Sequence, residues 1–493
     1  MKRIRNKRYR GERIIPWFRC FWGSMAVVVL LAGCGNSQGN EPSSEETLRT
    51  VQAADMSSAQ GEEGVSGATG TAHSGEEPGA AGTANSGEES GAAGTANSGE
   101  EPGVAGTANS GEASDSTSIA NSGGQSGAAE NPNSEGSTEP EITLVMVGDI
   151  LLHTPVAESG KGEDGYDFGA VFARMKEEIE RADLALVNQE VILGGEELGV
   201  SGYPNFNAPY ELGDALVDAG FDVVLHATNH ALDKGKQGVL NCISFWQEEY
   251  PEIAVLGIHG SQEDQQEIYV YEQEGIRVAI LNYTYGTNGI PLPTDMPYAV
   301  DMLEKQRVIS DLQRAEELSD FVIVCPHWGT EYVLDATKEQ EDWAKLFAEN
   351  GADLVLGTHP HVIEPFVWIG EEGSDFGSDM DAAAEEHYDD TLVYYSLGNF
   401  VNWTSSSGDG IANRMVGGMA QVTIGRNETG EAVIKSYDVE PLVCHLEQGF
   451  GGVTVYPLAE YTEELAGRNE IVKQDSNFSL EYCRKLAEAV FGK

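Results

Sequence analysis

Positive charge is scarce in this chain. Against 81 Asp and Glu there are only 29 Lys and Arg, a formal net charge of -52 over 493 residues. Nucleic-acid binding needs a basic face, so no nucleic acid is expected as a partner. Cysteine is scarce too, six in all. Cys242, Cys325, Cys444 and Cys483 are far apart and form no Cys-x-x-Cys, which excludes a zinc ribbon. Their pairing stays open from the sequence, although Cys325 lies in an apolar run and reads as a buried thiol. Large apolar residues are almost missing from residues 36–139, so that stretch has nothing from which to build a core.

What is present begins with a leader. Residues 2–19 are rich in Lys and Arg, Met25–Leu31 is apolar, and Ala32-Gly33-Cys34 follows. A basic region, a short apolar run and small residues make a secretory signal. The run Leu31-Ala-Gly-Cys34 resembles a bacterial lipobox, which implies cleavage and lipidation at Cys34. The alternative is an uncleaved signal anchor lengthened by Phe21 and Trp22. Either way the remainder is expected outside the cytoplasmic membrane. Next come imperfect repeats of Ser-Gly-Glu-Glu-Pro-Gly-Ala-Ala-Gly-Thr-Ala-Asn from Ser74, with Arg49 the only basic residue of 35–139. Without large apolar residues to stack, these read as a disordered tether, about 55–60 Å root-mean-square from end to end. The expected organisation is a leader over 1–34, an acidic Gly/Ser/Glu linker over 35–139, an ordered domain over 140–403, and a C-terminal β extension with a terminal helix over 404–493.

Within the ordered part, short apolar runs end in polar clusters. Thr143–Val147 leads to Gly148-Asp149, and Leu184–Val187 to Asn188-Gln-Glu190. Val223–Leu225 leads to His226-Ala-Thr-Asn-His230, and Val278–Leu281 to Asn282. Phe321–Val324 leads to His327, Leu354–Leu356 to His359 and His361, and Leu392–Tyr395 to Ser396-Leu-Gly-Asn399. Runs of this kind are strands buried on both faces. Helical stripes lie between them: Phe168, Phe172, Met175 and Ile179; Leu303, Ile309 and Leu312; Trp343, Leu346 and Phe347. The fold class is therefore α/β, a layered domain, with strands at Gly418–Ile424 and Val433–Val439 completing it. Residues 371–390 read as an acidic loop insertion and 478–491 as a helix.

In such sheets ligands bind beyond the carboxyl ends of the strands, and the polar clusters stand there. His359-Pro-His361 is expected to be extended, with both rings on one side. Asp149, Glu190, Asn229, His230, His327, His359 and His361 combine carboxylate, amide and imidazole. That is a donor set for a divalent metal such as Mn, Fe or Zn, and a two-metal site needs such a mixture around a bridging water. His153 stands beside the ligands or faces solvent, and His226 ends its strand. Glu331 is placed either to orient His327 or to touch substrate. Asn399 is either a turn residue or a pocket donor.

Gly148-Asp149, Asn188-Gln-Glu190, Thr228-Asn-His-Ala-Leu-Asp233, His327-Trp-Gly-Thr-Glu-Tyr332, Gly357-Thr-His-Pro-His361 and Ser396-Leu-Gly-Asn-Phe400 resemble the CapA family. Its members are bacterial capsule-synthesis or poly-γ-glutamate biosynthesis proteins, similar in fold to calcineurin-like metallophosphoesterases, which implies a layered βα sandwich. By position, the resemblance implies that Asp149 and His361 hold a first metal. Asn229, His327 and His359 would hold a second, and Glu190 would bridge. It makes His230, with Asn229, the acid or phosphate-contacting group, and puts Asn188 in the pocket. Two departures stand out. Phosphoesterases of that fold carry His two residues after the first Asp, where this chain has Leu151, with His153 two further on. Their bridging residue is usually Asp, here Glu190.

Three functions are then open. One is a lipid-anchored metal-dependent hydrolase or transferase acting on an anionic envelope polymer such as poly-γ-glutamate, alongside capsule-synthesis membrane proteins. The others are a non-catalytic polymer-binding component and a surface phosphoesterase.

Overall fold

The computed structural model describes residues 140–492, apart from 164, 371–386 and 388–389. The expected leader, lipidated Cys34, the linker and most of the 371–390 insertion lie outside the described residues.

β1 (Glu141–Ile150) is buried from Leu144 to its end and stands at the centre of the first sheet. A small hairpin follows, β2 (Lys161–Gly162) with β3 (Gly165–Tyr166). β4 (Leu184–Asn188), β5 (Val223–Leu225) and β6 (Ala254–Leu256) then extend the first sheet, all parallel to β1. The second sheet holds β7 (Tyr269–Gln273), β8 (Ile276–Thr284), β9 (Phe321–His327), β10 (Leu354–Leu356), β11 (Ile363–Ile369) and β12 (Thr391–Leu397). Its order is β11-β12-β10-β9-β8-β7, parallel within and antiparallel at both edges. The chain then returns to the first sheet. β13 (Asn399–Val401) pairs parallel with the end of β1, and β14 (Val416–Arg426) runs antiparallel along the rest of it. β15 (Ala432–Leu446) and β16 (Val453–Pro457) continue outward.

Side chains alternate along a strand, so each sheet serves two cores. Val278, Ile280, Ile323, Cys325, Leu356 and Tyr394 face the first sheet's Leu144 and Met146 in the larger core. Cys325 Sγ lies 4.0 Å from Met146 Sδ, where the sheets meet. The alternate residues Ala279, Leu281, Val322, Val324, Val355 and Val393 face a second core under helices Lys305–Leu318 and Lys338–Ala348. Helices Glu211–Ala219 and Gly235–Glu249 give Leu212, Leu216, Val239 and Trp246 to the larger core. The result is the expected layered α/β sandwich, completed by antiparallel C-terminal strands. All four described cysteines are buried free thiols.

Two local features differ from expectation. The stripe Phe168–Ile179 is two short helices, Gly169–Phe172 and Lys176–Arg181, joined by a turn at Ala173–Met175. All four apolar side chains are still buried, so packing rather than a continuous helix sets their spacing. β11 was not expected, because Glu364 and Pro365 interrupt its apolar run. It is an edge strand, where proline's missing donor costs no ladder bond.

Glu364 is fully buried on β11. Gln340 Nε2 donates to its Oε2 at 2.6 Å, while its Oε1 has no partner. Burial pushes this carboxyl from 4.5 up to about 8. The folded value lies above the unfolded one, so this group's contribution is complete below pH 4.5 and is lost as pH rises through about 8. Glu364→Gln keeps an acceptor for Gln340 and removes the titration. The variant should be more stable than wild type by about 1–2 kcal/mol at alkaline pH, part of the ~1.4 kcal/mol per pKa unit. The gap should close in acid. Denaturant titrations across pH test this, and a pH-independent difference would refute it.

Candidate metal centre

The strand ends of the two sheets meet at one edge. Asp149 is the penultimate residue of β1, Asn188 closes β4 and His327 closes β9. Glu190 follows β4, Thr228–His230 follow β5, and Gly357–His361 follow β10. Asn399 opens β13, directly opposite Asp149. All of these side chains are buried, with Asp149, Asn188, Glu190 and His327 fully so.

Asp149 is tightly held. Asn188 Nδ2 donates to its Oδ1 at 2.8 Å and the His359 backbone N–H to its Oδ2 at 3.1 Å; His361 Nδ1 lies 3.2 Å from Oδ2. Glu190 is different, since neither carboxylate oxygen has a hydrogen-bond partner. Its Oε1 is 3.7 Å from His327 Nε2 and 3.9 Å from His230 Nε2, and its Oε2 is 3.7 Å from His361 Nδ1. These separations are too long for hydrogen bonds. His359 Nδ1 is likewise buried without a partner. A buried carboxylate with two orphaned oxygens is costly, and a cation would supply the missing partner.

Two sets of donor atoms each lie within 4.8 Å of one another: Asp149, Glu190 and His361, and Glu190, His327 and His359. They share Glu190, so a carboxylate stands between two triads. Glu331, His359 and His361 form a third set, with Glu331 at the exposed mouth. These residues fit a divalent cation.

Electrostatics favours the metal-binding forms. Burial, then the neighbouring His359, His361 and His230, holds His327 well below the usual imidazole range. Burial does the same to His359, assisted by His361 and His230. Both rings are neutral near pH 7, the form that ligates. Burial and then Asp149 push Glu190 well above the usual carboxylate range, the mark of a buried negative charge without its counterion.

The His-Pro-His turn is not extended. His359 has φ 101° and His361 φ 59°, left-handed values that cost a non-glycine residue about 1–3 kcal/mol each. The rings converge, with centroids 5.7 Å apart, because the turn is wound. Three clamps hold it. Asp149 accepts from the His359 N–H, Asn399 Nδ2 donates to His361 O at 2.8 Å, and the Tyr332 N–H donates to Pro360 O at 2.7 Å.

Other residues fall into place around the donors. His327 has Thr358 Oγ1 3.1 Å from Nδ1 and Asn229 Oδ1 3.0 Å from Nε2. Glu331 therefore does not orient His327; it stands with His359 and His361. His230 Nδ1–H donates to Asp233 Oδ2 at 2.7 Å, leaving Nε2 toward Glu190. Leu151, two residues after Asp149, is buried in the core. His153 packs edge-on against Phe206 at 5.0 Å, and burial takes it down to about 3, with His361 and His230 adding to the shift. His226 faces away from the donors and accepts from Trp246 Nε1 at 3.2 Å. Asp233 and Thr358 were not singled out from sequence, although both lie inside motifs that were. Their roles are orientation across a turn and across strands, which spacing does not display.

Residues 143–404 match the family described as "Bacterial capsule synthesis protein PGA_cap". Among curated relatives, the chain is 27% identical over 234 residues to the "PGA biosynthesis protein CapA" of Bacillus subtilis (strain 168), covering 47% of this chain and 53% of that one. It is 28% identical over 276 residues to the "Capsule biosynthesis protein CapA" of Bacillus anthracis, covering 54% and 61%. The matched part thus spans little more than half the length of those relatives. Among solved structures, it is similar to a 5'-nucleotidase precursor from Thermus thermophilus, at 15% identity and TM-score 0.35 over 71% of this chain and 59% of that one. With more than half of its length matched, the chain belongs to the bacterial capsule synthesis protein family PGA_cap.

Proposed function

We propose that the chain is a metal-dependent hydrolase of the cell envelope that works in the synthesis or anchoring of capsule or poly-γ-glutamate. The observation that carries this is Glu190, fully buried, without a hydrogen-bond partner and shared by two donor triads. A purely polymer-guiding protein has no use for that cost. Asp149, Glu190, Asn229, His327, His359 and His361 would hold one or two divalent ions, with Mn, Fe or Zn suited to the mixed donors. Such ions supply Lewis acidity and a nucleophilic water at neutral pH. His230, fixed by Asp233, presents Nε2 for proton transfer, while Asn188 and Asn399 fix Asp149 and His361. The substrate would be an anionic envelope polymer, with poly-γ-glutamate the candidate from the relatives' names, and capsule-synthesis membrane proteins would be the partners. A second reading, a non-catalytic polymer-binding component, draws support from Leu151, which removes one imidazole found in the phosphoesterases. A surface metallophosphoesterase is the third.

The test is metal analysis of the purified full chain, then γ-glutamyl and phosphodiester substrate screens before and after chelation. Chelator-sensitive cleavage of γ-glutamyl bonds supports the proposal, and cleavage of phosphodiesters alone favours the phosphoesterase. Binding no tighter than millimolar would leave the polymer-binding reading.

Anchoring belongs to the same proposal. Among the described residues no helix is long and apolar enough to cross a membrane, and the attachment would be lipid at Cys34. Cys34→Ala should move the protein from the membrane fraction to the medium or leave an uncleaved precursor. An unchanged size and distribution would argue for a signal anchor.

A further inference from the structure

Most arginines among the described residues are ion-paired; Arg414, like Arg174 and Arg484, is not. Arg181, Arg277, Arg307, Arg314, Arg426 and Arg468 each pair with a carboxylate. Arg414 has no ion pair among the described residues, in a chain with 81 acidic side chains. Its guanidinium carbon lies 3.4 Å over the Tyr332 ring, and Nη1 donates to Thr404 Oγ1 at 3.1 Å. The remaining N–H groups have no protein acceptor among the described residues.

The position is built rather than accidental. Arg414 belongs to a short 3-10 turn, Ile411–Met415, and the N–H groups of Ala412 and of the preceding Gly410 donate to buried Asp475. Its carbonyl accepts from Asn399 Nδ2 at 2.9 Å and Asn402 Nδ2 at 3.4 Å. Asn399 Oδ1 lies 3.2 Å from His361 Nδ1, so one side chain ties Arg414 to a metal donor. Tyr332, under the guanidinium, has its ring 5.8 Å from that of His361 and its N–H on Pro360 O. Stacking fixes the guanidinium plane and leaves its edge open. An edge of parallel N–H groups matches a carboxylate or phosphate in two-pronged fashion.

We propose that Arg414 is a substrate-binding residue that receives an oxyanion, a carboxylate or a phosphate, beside the metal donors. This rests on the proposed function for the nature of the substrate, but the binding itself does not require the metal. Arg414 lies beyond residues 143–404, so the matched region would supply the donors and the C-terminal extension the contact that selects an anionic substrate.

Calorimetric titration of inorganic phosphate and of a γ-linked triglutamate into the full chain, metal-stripped and Mn-loaded, tests this with Arg414→Met and Arg414→Lys. Arg414→Met should weaken one or both anions by about 10-fold or more, the size of a lost charged hydrogen bond. Mn affinity should be unchanged. Arg414→Lys should keep only part of the affinity, because it keeps charge but not the fork. Loss confined to triglutamate assigns a carboxylate site, and loss confined to phosphate a phosphate site. Unchanged affinity in Arg414→Met, or wild type that binds neither anion in either state, overturns the inference. If Arg414→Met melts far below wild type, Arg414→Lys decides: wild-type melting with weakened anion binding supports it, and wild-type anion binding overturns it. Arg414-dependent anion binding without any Mn binding would remove the metal reading alone.

Discussion

Glu190→Gln should lose divalent-metal affinity by more than about 100-fold, beyond the 10–100-fold cost of losing a group that only orients a ligand. The same change should raise the melting temperature of the metal-free protein. Both follow from one geometry. Glu190 is shared by the triads with Asp149 and His361 and with His327 and His359, so its loss takes a ligand from each. Without metal its carboxylate is buried, has no partner for either oxygen, and lies beside Asp149. Replacing an uncompensated buried charge with a neutral amide of the same shape relieves that cost. A ligand that binds only the folded state stabilises by about 2.7 kcal/mol at a hundred times its dissociation constant. Wild type should therefore gain that stability when Mn is added, and Glu190→Gln should not. Melting curves with chelator and with Mn read both effects. A metal-free variant that melts lower than wild type, or one that still gains from Mn, contradicts the assignment.

Gly148→Ala should cost about 4 kcal/mol or more, the range reserved for severe defects. β1 passes so close to Gly398, the link between β12 and β13, that a Cβ added at Gly148 would lie 1.9 Å from Gly398 O. Backbone cannot swing aside as a side chain can, so the strands must part. Their separation would carry Asp149 away from Asn399, its partner in register, and so pull apart the donor set of Asp149, Glu190 and His361. Denaturant unfolding should show the loss of stability, and metal titration of the folded fraction should show weakened binding. A variant within about 1 kcal/mol of wild type, inside the range of ordinary surface changes, would mean that the two strands can slide apart at little cost.

Much of the architecture was legible because buried parallel strands announce themselves. Leu354–Leu356 and Phe321–Val324 are continuous apolar runs, and the polar residues after them can lie only at a strand end. Asp149, Glu190, His327, His359 and His361 could be gathered in this way although 212 residues separate the first from the last. The conformation that brings the rings together could not. His359 and His361 adopt positive φ against the preference of their residue type, because the surrounding clamps outweigh local propensity. β11 was hidden for a related reason, since edge placement excuses Pro365 and a hydrogen bond from Gln340 accommodates Glu364. Arg414 gave no signal at all. A lone arginine in a polar turn becomes informative only when Tyr332 and Asn399 are seen to deliver it to the His-Pro-His turn.

The return of the chain to the first sheet also governs where this protein can be divided. β14 covers β1 from Glu141 to Val147, yet it begins at Val416, after the family match has ended at residue 404. A fragment cut at that point would keep every metal donor and leave β1, buried on both faces, with a row of unpaired N–H and C=O groups along one side. Such an edge is a template for another chain's strand. The natural seam of the molecule therefore does not follow the end of the family match: the segment beyond residue 404 covers an edge that the matched part would otherwise present to copies of itself.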